Sequence, residues 1–252
     1  MKKILAILLV LVLVFSFVAC NDEPNTEDPD KDPTTNEEPK DPEFDPSKKS
    51  EGVMTYAEYD AAELDSQVVI EAYVQAHQSW WDNKITVYAQ DPDGAYFIYE
   101  MACSEEDAAK LTKGTKIKVT GYKGTWAGKI EIMDATFEIV TDGTWVAEPL
   151  DVTSLLGTDE LVKKQNMFVE FKGLTVDSIE YQEGVPGKDI YVSVSLNGNA
   201  YSFCVEQYLT GPDTDVYKAV QALEAGDVID VEGFLYWYNG VNTHITSVSV
   251  AK

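Results

Sequence analysis

From residue 53 onward, apolar positions recur in short runs of period two. Ile117, Val119 and Gly121 alternate with Lys116, Lys118 and Thr120, the pattern of a half-buried strand. Runs of this kind predict strands over 67–75, 85–90, 95–101, 115–122 and 129–140. Asp93-Gly94 joins the second to the third as a hairpin turn. Thr55 with Glu58 forms a capping box that opens a short helix through Leu64. Ser104 with Asp107 caps another, with Gly114 as its stop. Residues 77–84, HQSWWDNK, read as a polar loop with two Trp.

The same order returns downstream. Strands are predicted over 167–176, 190–196 and 200–205, with Asn197-Gly198 as the hairpin turn. Asp213 or Thr214 caps a helix with Val216, Ala219, Val220 and Leu223 on one face. Gly226 ends it and opens GDVIDVEGFLYWYNGVNTHITSVSV, two strands around an aromatic loop. That stretch aligns with residues 114–139: Gly114 with Gly226, Gly121 with Gly233, Trp126 with Tyr238 and Gly128 with Gly240. Ile85 and Ile190 lie 105 residues apart, as do Tyr96 and Tyr201. The added residues fall between elements, where insertions belong.

Three strands, a helix and two strands is the element order of an OB-fold, a five-stranded Greek-key barrel. The fold class expected is therefore all-β with short helices, as two tandem OB-fold-like barrels over 53–145 and 146–252. Cys103 and Cys204 do not occupy equivalent places in the two repeats and read as buried thiols.

The first 52 residues have a different character. MKKILAILLVLVLVFSFVAC has a charged start, an apolar run and small residues near its end, which marks an export signal over 1–19. Phe17-Val18-Ala19-Cys20 resembles the lipobox of bacterial lipoproteins, which implies a lipid on Cys20. Two or more acyl chains there give stable anchoring. Residues 21–48 hold six Pro, eleven acidic residues and three Lys. Such a segment cannot bury enough surface to offset its ordering entropy, so 20–52 reads as a disordered acidic tether.

Charge narrows the function. The chain carries 44 acidic residues against 19 Lys, with no Arg and a net charge of −25. Phosphate-driven nucleic-acid binding relies on basic patches, so it is disfavoured here. No G-x-S-x-G, Walker A or H-E-x-x-H motif is present. His77 and His244 have no Cys or second His at ligand spacing. No catalytic residue, metal site or cofactor is expected.

The runs GDVIDVEG, YNG and ITSVSV, together with MTYAEY, QSWWDNK and DGAYFIYEMACSEED, resemble OB-type modules of secreted bacterial proteins. Some such modules are attached to extracellular nucleases. Others stand alone in lipoproteins of low-GC Gram-positive bacteria. The resemblance covers nearly all of 53–252 and implies a membrane-anchored protein facing outward. Nothing in the chain matches a nuclease catalytic domain.

OB-folds bind ligands on strands two and three, flanked by the 1–2 and 4–5 loops. Those loops carry Trp80, Trp81 and Trp126 in the first unit and Tyr236, Trp237, Tyr238 and Asn239 in the second. These seven are the candidate ligand-binding residues. Aromatic platforms stack sugars or bases, and the acidity favours carbohydrate or another neutral ligand. Single-stranded nucleic-acid capture and an envelope protein-interaction role are the alternatives.

Overall fold

The computed structural model describes residues 44–251. The export signal, Cys20 and the tether up to Glu43 lie outside the described residues. Phe44 onward forms one compact unit built of two β-structures.

In the first, β1 (Gln67–His77), β2 (Lys84–Gln90), β3 (Ala95–Ala102), β4 (Thr115–Trp126) and β5 (Lys129–Thr144) form a closed barrel in the order β1-β2-β3-β5-β4. All pairs are antiparallel except β3 with β5, which meet in parallel at Ile98 and Ile132. A short helix, α2 (Glu105–Ala108), lies between β3 and β4. This is the OB-type topology. Ile70, Val87, Ile98, Ile117 and Val119 fill the interior and are wholly buried. The Thr55–Glu58 capping box forms at the start of α1 (Tyr56–Ala61).

The second β-structure follows the same element order. It comprises β6 (Leu150–Asp151), β7 (Phe168–Tyr181), β8 (Ile190–Leu196), β9 (Asn199–Val205), α3 (Asp215–Gln221), β10 (Val228–Phe234) and β11 (His244–Val250). Its six strands run β10-β11-β9-β8-β7-β6, and β10 also pairs along β7. The added strand β6 lies parallel to β7, and β9 and β11 meet only at Cys204 and His244. This half is therefore a six-stranded sheet, where a simple five-stranded barrel was expected. Its core gathers Phe171, Phe203, Tyr217, Val231 and Ile245.

The duplication is visible in strand register. β2 and β3 pair Val87 with Ile98, Tyr88 with Phe97 and Ala89 with Tyr96. β8 and β9 pair Val192 with Phe203, Ser193 with Ser202 and Val194 with Tyr201. Every residue in the second set lies 105 positions after its counterpart. The aligned glycines also share a cause. A Cβ on Gly121 would meet the Met133 carbonyl at 2.9 Å, and one on Gly233 the His244 carbonyl at 2.2 Å. Each sits at an irregularity in the pairing of its strand, where the partner backbone comes close.

Several boundaries differ from expectation. β1, β4 and β5 run on to His77, Trp126 and Thr144, and β7 to Tyr181. Antiparallel pairing along their lengths satisfies backbone groups that a loop would leave to water. The helix before Gly114 is a single turn. Thr214, not Asp213, caps α3 by accepting from the Tyr217 N–H. Residues 44–52, read as the end of the tether, lie against the barrel. Phe44 meets Tyr73 edge-on, and Lys49 pairs with the buried Asp91 and donates to the Glu71 carbonyl.

The two β-structures meet at an aromatic seam of Tyr88, Phe97, Ala147, Phe168 and Phe234. Glutamine side chains cross it. Gln75 accepts from the Ala147 N–H, Gln90 from the Phe168 N–H and Gln165 from the Ile130 N–H. Lys129 is buried at its edge. Its Nζ donates to Glu131 at 2.6 Å and stands 3.5 Å from the centre of the Phe97 ring.

Candidate functional site

Residues 77–84, read from sequence as a polar loop, end in a tight turn. Trp81 and Lys84 exchange backbone hydrogen bonds of 2.9 and 3.0 Å across Asp82 and Asn83, both at positive φ. Asn and Asp tolerate that conformation best among residues with side chains. The two Trp consequently face opposite ways. Trp80 is half-buried and its Nε1 donates to the Cys103 carbonyl at 2.9 Å. Trp81 is 71% exposed.

Trp81 forms one wall of a pocket of about 420 Å³ on the β2–β3 face. Lys84, Thr86, Tyr99 and Glu100 from those strands line it, with Gln78 and Ser79 from the β1–β2 connection and Tyr208 from beyond β9. The Ser79 N–H donates to the Tyr208 carbonyl at 2.8 Å, which fixes that wall. Lys84 Nζ donates to Glu100 Oε2 at 2.7 Å, so the cation at this pocket is already paired. Tyr99 Oη donates to the other oxygen of Glu100 at 3.0 Å.

Gln78 also borders a second pocket, of about 580 Å³, on the β8–β9 face. Asp189, Tyr191, Ser202, Cys204 and Glu206 line one side, and Tyr236, Tyr238, Asn242 and His244 the other. With the offset of 105, Asp189 and Tyr191 occupy the places of Lys84 and Thr86. The two pockets are thus one location, repeated. The Gln78 amide donates to Glu206 at 3.1 Å across the boundary between them.

Burial sets the protonation of this region. Desolvation pushes Glu206 up to about 7, against hydrogen bonds from the Tyr208 and Leu209 N–H groups that favour the anion. His244 is pushed down to about 3, by burial first and by the Lys129 charge second, and is neutral. Lys129 falls to about 8 through burial, opposed by Glu131. Burial also raises the thiols of Cys103 and Cys204, both free and buried as expected.

Of the seven expected ligand residues, the two pockets take three. Trp81 lines the first, and Tyr238 and Tyr236 the second. Tyr236 is largely committed to the seam, stacked on His244 at 4.1 Å and edge-on to Phe97. Trp237 is half-buried and packs on the second core. The Asn239 N–H donates to the Ala127 carbonyl, so the two 4–5 loops brace each other. Trp126, 60% exposed, lines neither pocket because its hairpin tip is spent on that contact. Tyr99, Tyr191, Tyr208, Gln78 and Glu206 were not read from the sequence. Tyr99 and Tyr191 lie on β3 and β8, strands expected to form the ligand face, and were legible from that position; Tyr208 had no signal.

No family model matches the chain, and no curated protein does. Solved structures resemble it distantly. The Ifi202 HINa domain in complex with 20-bp dsDNA is 13% identical over 74% of this chain and 100% of that one, with a TM-score of 0.34. A Replication Protein A heterotrimer bound to ssDNA is 11% identical over 77% of this chain and 51% of that one, also at 0.34. The tetrameric p202 HIN2 is 13% identical over 75% and 98%, at 0.32.

Proposed function

We propose that this protein is a non-catalytic binding protein whose ligand lies in the groove made by the two repeated pockets. The ligand class is carbohydrate or another neutral molecule. One observation carries this reading. The groove presents exposed aromatic rings beside amide and hydroxyl groups, while Lys84, the cation that lines it, is paired with Glu100. Rings and neutral hydrogen-bonding groups suit sugars, and a polyanion would find no free positive charge there. In this reading the six-stranded sheet is a second barrel of the same type. Cys20 carries a lipid that holds the protein on the outer side of the cell membrane.

A glycan array with the full chain tests the assignment. Binding should fall more than tenfold in Trp81→Ala and in Tyr208→Ala. Absence of any glycan ligand, or unchanged binding in both variants, overturns it.

Single-stranded nucleic acid is the second reading, favoured by the row of exposed rings at Trp81, Tyr99 and Tyr208, which can stack bases. It requires affinity for oligonucleotides that drops steeply with added salt.

A further inference from the structure

We infer that the second pocket is a subsite for a positively charged amine, the ammonium of an amino sugar carried by the ligand of the groove. This rests on the carbohydrate reading above and narrows it.

The argument begins with the repeat. In the first pocket, Glu100 is neutralised by Lys84 at 2.7 Å. The residue in the place of Lys84 in the second pocket is Asp189. The exchange removes a cation and adds an anion. The second pocket is lined by two carboxylates, Asp189 and Glu206, and by no lysine.

Neither carboxylate has a charged partner among the described residues. Glu206 is only 8% exposed. Its oxygens accept from the Gln78 amide at 3.1 Å and from the Tyr208 and Leu209 N–H groups at 3.1 and 2.9 Å. Asp189 accepts from the Gln207 N–H at 2.9 Å. These donors are neutral. An ionised carboxylate so withdrawn from water is costly without an opposite charge.

Three further observations concern the same cavity. Tyr191 and Tyr238 line it beside Tyr236, whose ring already meets His244 and the Lys129 ammonium, and the face of an aromatic ring attracts a cation. His244, the remaining basic group on its wall, is hydrogen-bonded to Tyr88 and held neutral by burial, so it does not supply the charge. Asn242 Oδ1 is buried in the wall with no hydrogen-bond partner. Two carboxylates with only neutral partners, the rings of Tyr191 and Tyr238 and a lining without lysine together complement a group with three N–H donors and one positive charge.

The test compares two probes of equal length, a β-1,4-linked glucosamine hexamer and its fully N-acetylated form, by titration calorimetry with the full chain. The amine form should bind at least tenfold more tightly. The double variant Glu206→Gln, Asp189→Asn should cancel that preference and leave the acetylated form unaffected. Asp189→Lys, which restores the charge found at Lys84, should cancel it too, so a folding defect in one variant does not decide the matter. Asp159→Asn, exposed and outside the groove, should retain the preference and so exclude general attraction to an acidic surface. Equal affinity for the two hexamers, or a preference surviving in both pocket variants, overturns the inference while the carbohydrate reading stands. If neither hexamer binds, this inference falls, and the glycan array then decides whether the wider reading falls with it.

Discussion

Tyr88 of the barrel and Phe234 of the six-stranded sheet stack with ring centroids 4.5 Å apart. Tyr88 also shares a 2.6 Å hydrogen bond with His244, the first residue of β11. A single side chain thus ties the second strand of one repeat to the last two strands of the other. His244 lines the second pocket and Gln78 lines both, so this tie bears directly on one of them.

Phe234→Ala should cost about 3–5 kcal/mol, the usual range for removing a buried aromatic. Because the lost contact joins the halves, unfolding should split from one transition into two. Differential scanning calorimetry reads both effects.

Gly233→Ala should destabilise by about 1–3 kcal/mol or more, since its Cβ meets backbone rather than a side chain that can swing away. Gly121→Ala should behave similarly, as its own Cβ would meet the Met133 carbonyl. Chemical denaturation of the two variants checks this. Gly226→Ala meets no neighbouring atom but sits at φ 96°, so its cost is confined to backbone strain.

His244 and Glu206 act on stability with opposite sign. Neutral His244 has its folded value near 3, below the 6.5 of an unfolded chain. The unfolded state therefore binds a proton that the folded state does not, and stability falls as pH drops below about 6.5. Glu206 has its folded value near 7, above 4.5. Its contribution is present below pH 4.5 and is lost as pH rises through 7. Glu206→Gln should therefore raise the melting temperature at pH 8 and give no gain at pH 5. In that background, the loss between pH 6.5 and 5 should come mainly from His244 and amount to about 2 kcal/mol, with carboxylates held low by their partners, such as Glu100 and Asp107, adding to it at lower pH. Melting curves across pH 4–8 measure both.

Trp126→Ala should leave ligand affinity unchanged and shift stability by less than about 0.5 kcal/mol, because the ring is exposed and outside the pockets. Trp80→Ala should reduce stability by about 2 kcal/mol or more through lost packing and the bond to Cys103. Its effect on affinity should follow only from disturbing Trp81. Thermal melts beside glycan binding separate the two.

Much of the fold was legible because its signals are local. The period-two runs, the Asp93-Gly94 turn and the Thr55–Glu58 cap each act within a few residues, and each appears where expected. The repeat was legible because Gly121 and Gly233 answer the same backbone approach. The ligand face was less so. Loop aromatics look alike in sequence, yet Trp81 is free while Trp237 is packed and Trp80 is pinned. Trp80 is pinned by Cys103 of its own half and Trp237 by the second core, while the walls around them are set by contacts between the halves, such as Asn239 with Ala127 and Ser79 with Tyr208. These join residues more than a hundred positions apart, and no local pattern encodes them. The extra strand β6 was missed for a related reason: two residues are too few for a period to register.

The anchorage of residues 44–49 has a mechanical consequence. Phe44 and Lys49 grip the barrel at Tyr73, Glu71 and Asp91, beside the Gln90 end of β2, whereas the groove opens at the Lys84 end of that strand. Tension applied to the chain ahead of Phe44 is therefore taken first by the edge-on Phe44–Tyr73 contact and the shielded Lys49–Asp91 pair. The load enters the barrel at the opposite end of β2 from the first pocket. A pull there strips the strap before it bends the groove.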